Sequence, residues 1–188
     1  MNVPEIVLAS NSPRRKELLA LTKLSFFCQP ADIDETQKSG ESPQDYVIRL
    51  AEQKAQASAN FAPFNGLVLA ADTTVADGHE LMGKPKDLED ARRMLLQLRG
   101  RTHQVYTAIV VYNPSRGIKH SALCVTDVHM RKYSDEELNE YLATGDAMDK
   151  AAAYAIQHPV FRPVVKFSGC FASVMGLPLC HFERILRK

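Results

Sequence analysis

Two arginines and a lysine crowd one short stretch of this chain, SNSPRRKELLAL, from Ser10 to Leu21. The stretch reads as a helix whose first turn carries Arg14, Arg15 and Lys16. A helix N-terminus already bears partial positive charge and favours anions, so three further cations there need a reason. A strand, a tight turn with the hydroxyls of Ser10 and Ser12, and then a helix start make a cradle of N–H and O–H donors for an anion. Arginine adds planar, bidentate oxyanion contacts. Arg15 stands three and four residues before Leu18 and Leu19, on the face that packs inward. The chemistry implied is the holding of a polyanion, most simply a triphosphate. The competing reading is a solvated basic helix start with acids nearby in the fold.

Four more positions carry chemical potential. Lys54 follows Val47 by seven residues and Leu50 by four, on the apolar stripe of a second helix. A lysine aimed at a core must snorkel out, find a counter-charge or hold a phosphate. Asp72 ends a buried apolar run, Leu67 to Ala71, and opens Asp72-Thr73-Thr74. Such a carboxylate sits where α/β proteins place binding groups. It would serve as a base or hold Mg²⁺; the plain alternative is an aspartate capping a turn. Lys84 lies in GHELMGKP, which nearly matches the phosphate-loop pattern GxxxxGK(S/T). Pro85 replaces the metal-binding hydroxyl and Asp77-Gly78 reads as a hairpin turn, so the match is rejected, and Lys84 stays as a cation near Asp72. Gln157 closes GDAMDKAAAYAIQ, and its amide has the donor and acceptor to read a base edge.

Several elements must position these residues. Val7 to Ala9 reads as a strand feeding the first helix, with Ser12 as N-cap and Pro13 at its first position. Leu24 to Gln29 reads as a second strand, and Ser42-Pro43 opens a helix through about Phe61. The strand from Gly66 to Asp72 is followed by a hairpin over Val75 to Met82. A helix over Leu88 to Leu98 is closed by Gly100. Antiparallel strands over Val105–Tyr112 and Leu123–Arg131 meet near Asn113-Pro114. Ser134 caps a helix to Ala143, ended by Gly145. The tail reads as a strand over Lys166–Val174 and a helix from Pro178. Helices interleaved with a mixed sheet give an α/β class.

The 188 residues suit one domain, 1–188, with 45% hydrophobic and 24% charged content, as in ordinary globular proteins. A formal net charge of +1 and the lack of an aromatic-rich basic stripe argue against a nucleic-acid binder. No apolar run approaches the roughly 20 residues of a membrane span, and MNVPEIVLAS lacks the marks of a signal peptide. The four cysteines form no CxxC pair and read as reduced core thiols of a cytoplasmic protein. The histidines are scattered without zinc spacing, so any metal would be a hard cation on carboxylates.

Taken together, LASNSPRRKELL, Asp34-Glu35-Thr36, RLAEQKA, AADTTV, GKP, GRTHQVYTA, DKAAAYAIQ and GLPL resemble the Maf family of nucleoside triphosphate pyrophosphatases, in order and spacing across nearly the whole chain. The resemblance implies an elongated mixed sheet flanked by helices, with two lobes around a deep cleft, as in Maf and Ham1-like proteins. It implies hydrolysis between the α and β phosphates with a divalent metal, Mg²⁺ or Mn²⁺, and a homodimer. Arg14, Thr73 and Gln157 are similar to the branch acting on dTTP and UTP, and the resemblance makes them the residues that select the base. It makes Asp72 the proton acceptor. Ser10, Arg15, Lys54 and Lys84 then face the phosphates, and Glu35 and Asp72 the metal. With Lys54 read as a phosphate contact, Lys54→Met is expected to leave the melting temperature unchanged or higher. The alternative within the family is a regulatory nucleotide sensor linked to septum formation.

The chain departs from the family's usual DKAGAYGIQG. Ala152 and Ala155 replace glycines, His158-Pro159-Val160-Phe161 replaces a glycine-rich continuation, and Ala147 stands where proline is usual. Added methyls and a proline are expected to restrict the loop over the base.

Overall fold

The computed structural model describes residues 5–63 and 66–187; the start of MNVPEIVLAS, residues 1–4, lies outside them. The apolar run after Glu5 forms β1 (Ile6–Leu8), and Pro13 opens α1 (Pro13–Ala20). Ser12 occupies the cap position with extended backbone, but its hydroxyl makes no cap bond. Its N–H instead donates to Ser10 Oγ at 3.1 Å. β2 (Phe26–Cys28) is shorter than its sequence run. Ser42 caps α2 (Pro43–Ala57) by accepting from the Asp45 N–H, and a single 3₁₀ turn over Ala59–Phe61 completes the expected span.

The strand before the hairpin does not end at Asp72. It runs on as β3 (Leu67–Asp77), because the β-branched run Thr73-Thr74-Val75 continues the ladder rather than turning. Gly78, at φ +64°, supplies the left-handed residue of the tight turn into β4 (Glu80–Met82). α3 (Leu88–Leu98) is capped by Asp87. The long hairpin of β5 (Thr102–Asn113) and β6 (Ile118–Met130) leads to α4 (Asp135–Ala143), where Ser134 and Glu137 form a reciprocal capping box.

The tail corrects the sequence reading. β7 (Val164–Ser168) stops at Ser168. Gly169, at φ +136°, lies against Thr126, whose Oγ1 is 2.6 Å from where a β-carbon would be. The chain turns there into the short α5 (Phe171–Val174), and α6 (Leu179–Leu186) follows.

The sheet runs β2-β1-β3-β5-β6-β7, with β4 also on β3. β1 is parallel to β2 and β3; the other pairings are antiparallel. β5 covers one edge of β3 from Val68 to Ala76. β1 and β4 share the other edge: β1 pairs as far as Leu69 and β4 begins at Val75. Among the described residues no strand covers that edge between them, which leaves a notch along Ala70–Thr74.

Apolar residues collect on both sides of this spine. Val47 and Ala51 of α2 pack on one face of β3 through Val68 and Ala70. Leu19 of α1 and Phe182 of α6 pack on the other through Leu69 and Ala71. Beyond the notch, Leu95 and Leu98 of α3 join Leu138 of α4 and Val75 in a separate cluster. All three clusters share β3 and β5, two on one side of the notch and one on the other. The four cysteines are free, but only Cys124 is buried and Cys180 is exposed. No helix among the described residues is long and apolar enough to cross a membrane.

Candidate active site

Strand alternation sends Asp72 and Thr73 to opposite faces of β3. Both reach one cavity of about 660 Å³, because the cavity wraps around the uncovered edge. Ser10, Arg14, Arg15, Glu35, Lys54, Lys84 and Gln157 line it too, whereas Lys16, the third cation of the first turn, does not.

On the α2 face, Asp72 is 6% exposed. Its Oδ1 accepts from Lys54 Nζ at 2.6 Å, and the same ammonium lies 2.7 Å from Glu35 Oε1. Lys54 therefore meets two carboxylates in this structure. That reverses the expectation for Lys54→Met, since a buried anion would lose its partner. Burial pushes the Asp72 carboxyl above the ordinary aspartate range, while Lys54 and Arg15 oppose the shift. Glu35 sits on a loop strapped to α2. The Tyr46 hydroxyl donates to the Glu35 carbonyl at 2.9 Å, and Arg49 donates to the Thr36 carbonyl and to both Glu41 oxygens. Burial, with Asp72 and Glu35 beside it, pushes the Tyr46 hydroxyl up to about 12. Tyr46 does not stand out in the sequence and Arg49 does so only as the first residue of RLAEQKA, since their spacing on α2 means nothing until the loop lies over them.

On the other face, Arg15 is held in place by three bonds. Its Nε donates to the Gly176 carbonyl at 2.9 Å, Nη1 to Ser10 Oγ at 3.4 Å and Nη2 to Thr73 Oγ1 at 3.3 Å. Gly176 adopts φ +106°, and a β-carbon there would stand 3.1 Å from Arg15 Nε. Gly176→Ala is expected to cost about 2 kcal/mol through backbone strain and to dislodge Arg15. Urea denaturation and nucleotide hydrolysis check this; a variant as stable and as active as the parent would show the site tolerates the shift.

Arg14 reaches across the mouth to Asp149, 3.2 Å away, in an exposed pair that carries little energy by itself. Asp149 opens the loop that bears Gln157. Lys150 Nζ bonds Asp149 at 2.5 Å, and the Ala152 N–H donates to the Gly83 carbonyl at 2.9 Å, tying the loop to the turn that carries Lys84. Ala152 and Ala153 both adopt left-handed backbone, at φ +54° and +62°. The glycine usual in the family at 152 thus meets a conformational need, and here a buried methyl stands in its place. Ala155 is not left-handed. The other departures anchor the loop from behind. Phe161 stacks on Tyr141 with centroids 4.3 Å apart, and His158 Nδ1 accepts from the Phe161 N–H at 2.9 Å. Ala147 is fully buried in the same cluster. His103 on β5 meets the Tyr154 hydroxyl at 2.7 Å, and burial drops its pKa to about 4.

Among the described residues no three His, Cys, Asp or Glu side chains gather into a metal cage. Asp72 and Glu35 do converge on one point, the Lys54 ammonium. One or two carboxylates completed by substrate phosphates are the usual setting for Mg²⁺, so the residues present fit such an ion.

A mixed sheet with a cationic cleft built around a buried aspartate defines an α/β protein made to hold a small polyanion. Its sequence matches the Maf-like protein family over residues 5–188, and the chain belongs to that family. It is 46% identical to a dTTP/UTP pyrophosphatase of Citrifermentans bemidjiense, covering 100% of this chain and 96% of that one. It is 39% identical to the dTTP/UTP pyrophosphatase of Vibrio cholerae over 100% of both chains. Among solved structures, the Staphylococcus aureus Ham1 protein aligns with 68% of this chain and 72% of its own, at 19% identity and a TM-score of 0.47.

Proposed function

We propose that this protein hydrolyses dTTP and UTP to the monophosphate and pyrophosphate, clearing such nucleotides, or modified pyrimidine forms of them, from the pool. One observation carries the reading. A buried carboxylate, clamped by a lysine and neighboured by an arginine, lies at an uncovered strand edge inside a cavity of about 660 Å³. That size falls in the roughly 300–1,000 Å³ range of small-molecule sites. The nucleotide would lie across the edge of β3. Its triphosphate meets Ser10, Arg15, Lys54 and Lys84, and its base meets Arg14, Thr73 and Gln157.

Phosphoryl transfer rests on positioning and on charge placed where the transition state needs it. Asp72 takes a proton from the attacking water, and Lys54 fixes one of its oxygens so that the lone pairs keep one direction. Arg15, immobilised by Gly176 and Ser10, presents charge without reorganising. Glu35, the more exposed carboxylate, faces the metal. A Mg²⁺ or Mn²⁺ ion there would neutralise charge building on the phosphoryl oxygens. The reading includes a cytoplasmic homodimer, which the family resemblance supports.

Incubation with dTTP or UTP and Mn²⁺ tests the reaction: pyrophosphate must appear in step with the monophosphate. Release of orthophosphate, or no release, would overturn the proposal. The pH profile tests the base. A base must be ionised, so kcat/KM is expected to rise with pH through a limb above 3.8, the ordinary aspartate value, because burial raises Asp72. A limb at or below that value would make Asp72 a metal ligand instead.

A further inference from the structure

Behind Thr73 lies a chain of hydroxyls whose protons are countable. Thr107 on β5 is fully buried and lies opposite Thr73 in the ladder. Its Oγ1 is 2.7 Å from the Ser173 carbonyl, which only accepts, so the single Thr107 proton is spent there. Thr107 Oγ1 is also 3.0 Å from Thr73 Oγ1. With its own proton committed, Thr107 accepts in that contact and Thr73 donates. Arg15 Nη2, a donor without lone pairs to offer, occupies one of the two lone pairs of Thr73 at 3.3 Å. One lone pair remains. Towards the cavity, the Thr73 hydroxyl accepts a hydrogen bond and has no proton to give.

The Ser173 end is equally fixed. The Ser173 hydroxyl donates to the Cys170 carbonyl at 2.7 Å and lies 2.9 Å from Thr126 Oγ1, which accepts from the Cys170 N–H at 3.0 Å. Ser173 is fully buried, and its carbonyl also accepts from the Gly176 N–H at 2.9 Å, which fixes it in place opposite Thr107.

We infer that Thr107 is a specificity-determining positioning residue: it polarises Thr73 into an acceptor that selects bases carrying an imide N–H. Uracil and thymine present a proton at N3, flanked by two carbonyls. Cytosine presents a lone pair at N3, which would face the Thr73 lone pair. Sites built from committed hydrogen-bonding groups discriminate strongly, because the wrong partner leaves a polar group unmatched. This rests on the pyrimidine triphosphate reading above and adds the atom that separates uracil and thymine from cytosine.

The test is kcat/KM for UTP and CTP, by pyrophosphate release, in the parent and in Thr107→Ser and Thr107→Val. The parent is expected to favour UTP by about 10²-fold or more. Thr107→Val frees the Thr73 proton to turn into the cavity, and the UTP-to-CTP ratio is expected to fall about tenfold. Thr107→Ser restores the donor and keeps the ratio within about twofold of the parent. A merely structural Thr107 would lower both substrates together and leave the ratio alone, and that result overturns the inference. If Thr107→Val does not fold, Thr107→Ala removes the hydroxyl without pressing a methyl on the Ser173 carbonyl and carries the same ratio test. A parent that cleaves neither nucleotide overturns the pyrimidine reading itself, and one that prefers CTP overturns the dTTP and UTP reading. A UTP-selective parent whose ratio survives both substitutions overturns only the part given to Thr107.

Discussion

Asp72→Asn is expected to cut turnover on dTTP and UTP by about 10²- to 10⁴-fold, the span of general-base effects. The amide keeps the shape of the side chain and loses both the charge and the affinity for a proton. Stability is expected to stay level or rise. Asp72 is an anion held in a dry place, and its raised pKa means that ionising it costs folding free energy at neutral pH. Lys54 is not stranded by the change, because Glu35 Oε1 stays 2.7 Å away. Steady-state hydrolysis and a thermal melt on the same preparation separate the two effects. A variant keeping more than half of the parent's turnover would remove Asp72 from the chemistry.

Lys54→Met carries the second large effect and behaves differently. Here the cation goes and the buried carboxylate stays. Removing one partner of a buried pair costs about 3 kcal/mol at the low end, the end chosen because Arg15 still neighbours Asp72. For a chain of this size that is a fall of roughly 6–12 °C in Tm. The sign with pH follows from Asp72. Its folded-state pKa, already raised, rises further without Lys54, so the deficit is largest where the carboxyl is ionised and fades as the pH drops through the raised value and the carboxyl becomes neutral. Hydrolysis is expected to fall at least about 10²-fold, since a preorganised charge has left the phosphoryl site. The double variant Lys54→Met/Asp72→Asn should regain the lost stability and none of the activity. A single variant as stable as the parent at pH 7 would mean that Lys54 is not what holds the Asp72 charge.

These two residues were legible for one reason: each breaks a periodic pattern. A lysine on the apolar stripe of α2, and an aspartate after five apolar residues, stand out against neighbours whose burial is implied by spacing. What each one meets was not legible. The stripe shows that Lys54 points inward, but only the fold brings Glu35 and Asp72 to the same ammonium. The continuation of β3 was missed because Asp-Thr-Thr resembles a turn in composition, and the pairing with Gln104 to Ala108 that holds it extended lies some thirty residues on. Gly176 and Thr107 lie within GLPL and GRTHQVYTA, but nothing local says what either one meets. Gly176 matters for an arginine 161 positions earlier, and Thr107 for a hydroxyl on a neighbouring strand. Ala152 lies between these cases: the resemblance marks it as a departure, and the left-handed backbone gives the reason a glycine is usual there.

The unbroken course of β3 has a consequence for how this protein adapts. A catalytic group on a loop is free to move towards its substrate; one set mid-strand and laddered to β5 on both sides of its position is not. Asp72 is a fixed point of reference, and the nucleotide must be brought to it. Accommodation then belongs to the loops at 34–41 and 145–158, which hold Glu35 and Gln157, the residues proposed to face the metal and the base. The second of these is where the chain departs from the family's usual residues, at Ala152 and His158. Asp72, the proposed base, stays where the strand put it. Under the proposed function the base-facing Thr73 shares that strand with Asp72, so only the part of selectivity carried by the loop at 145–158 can change without touching the strand.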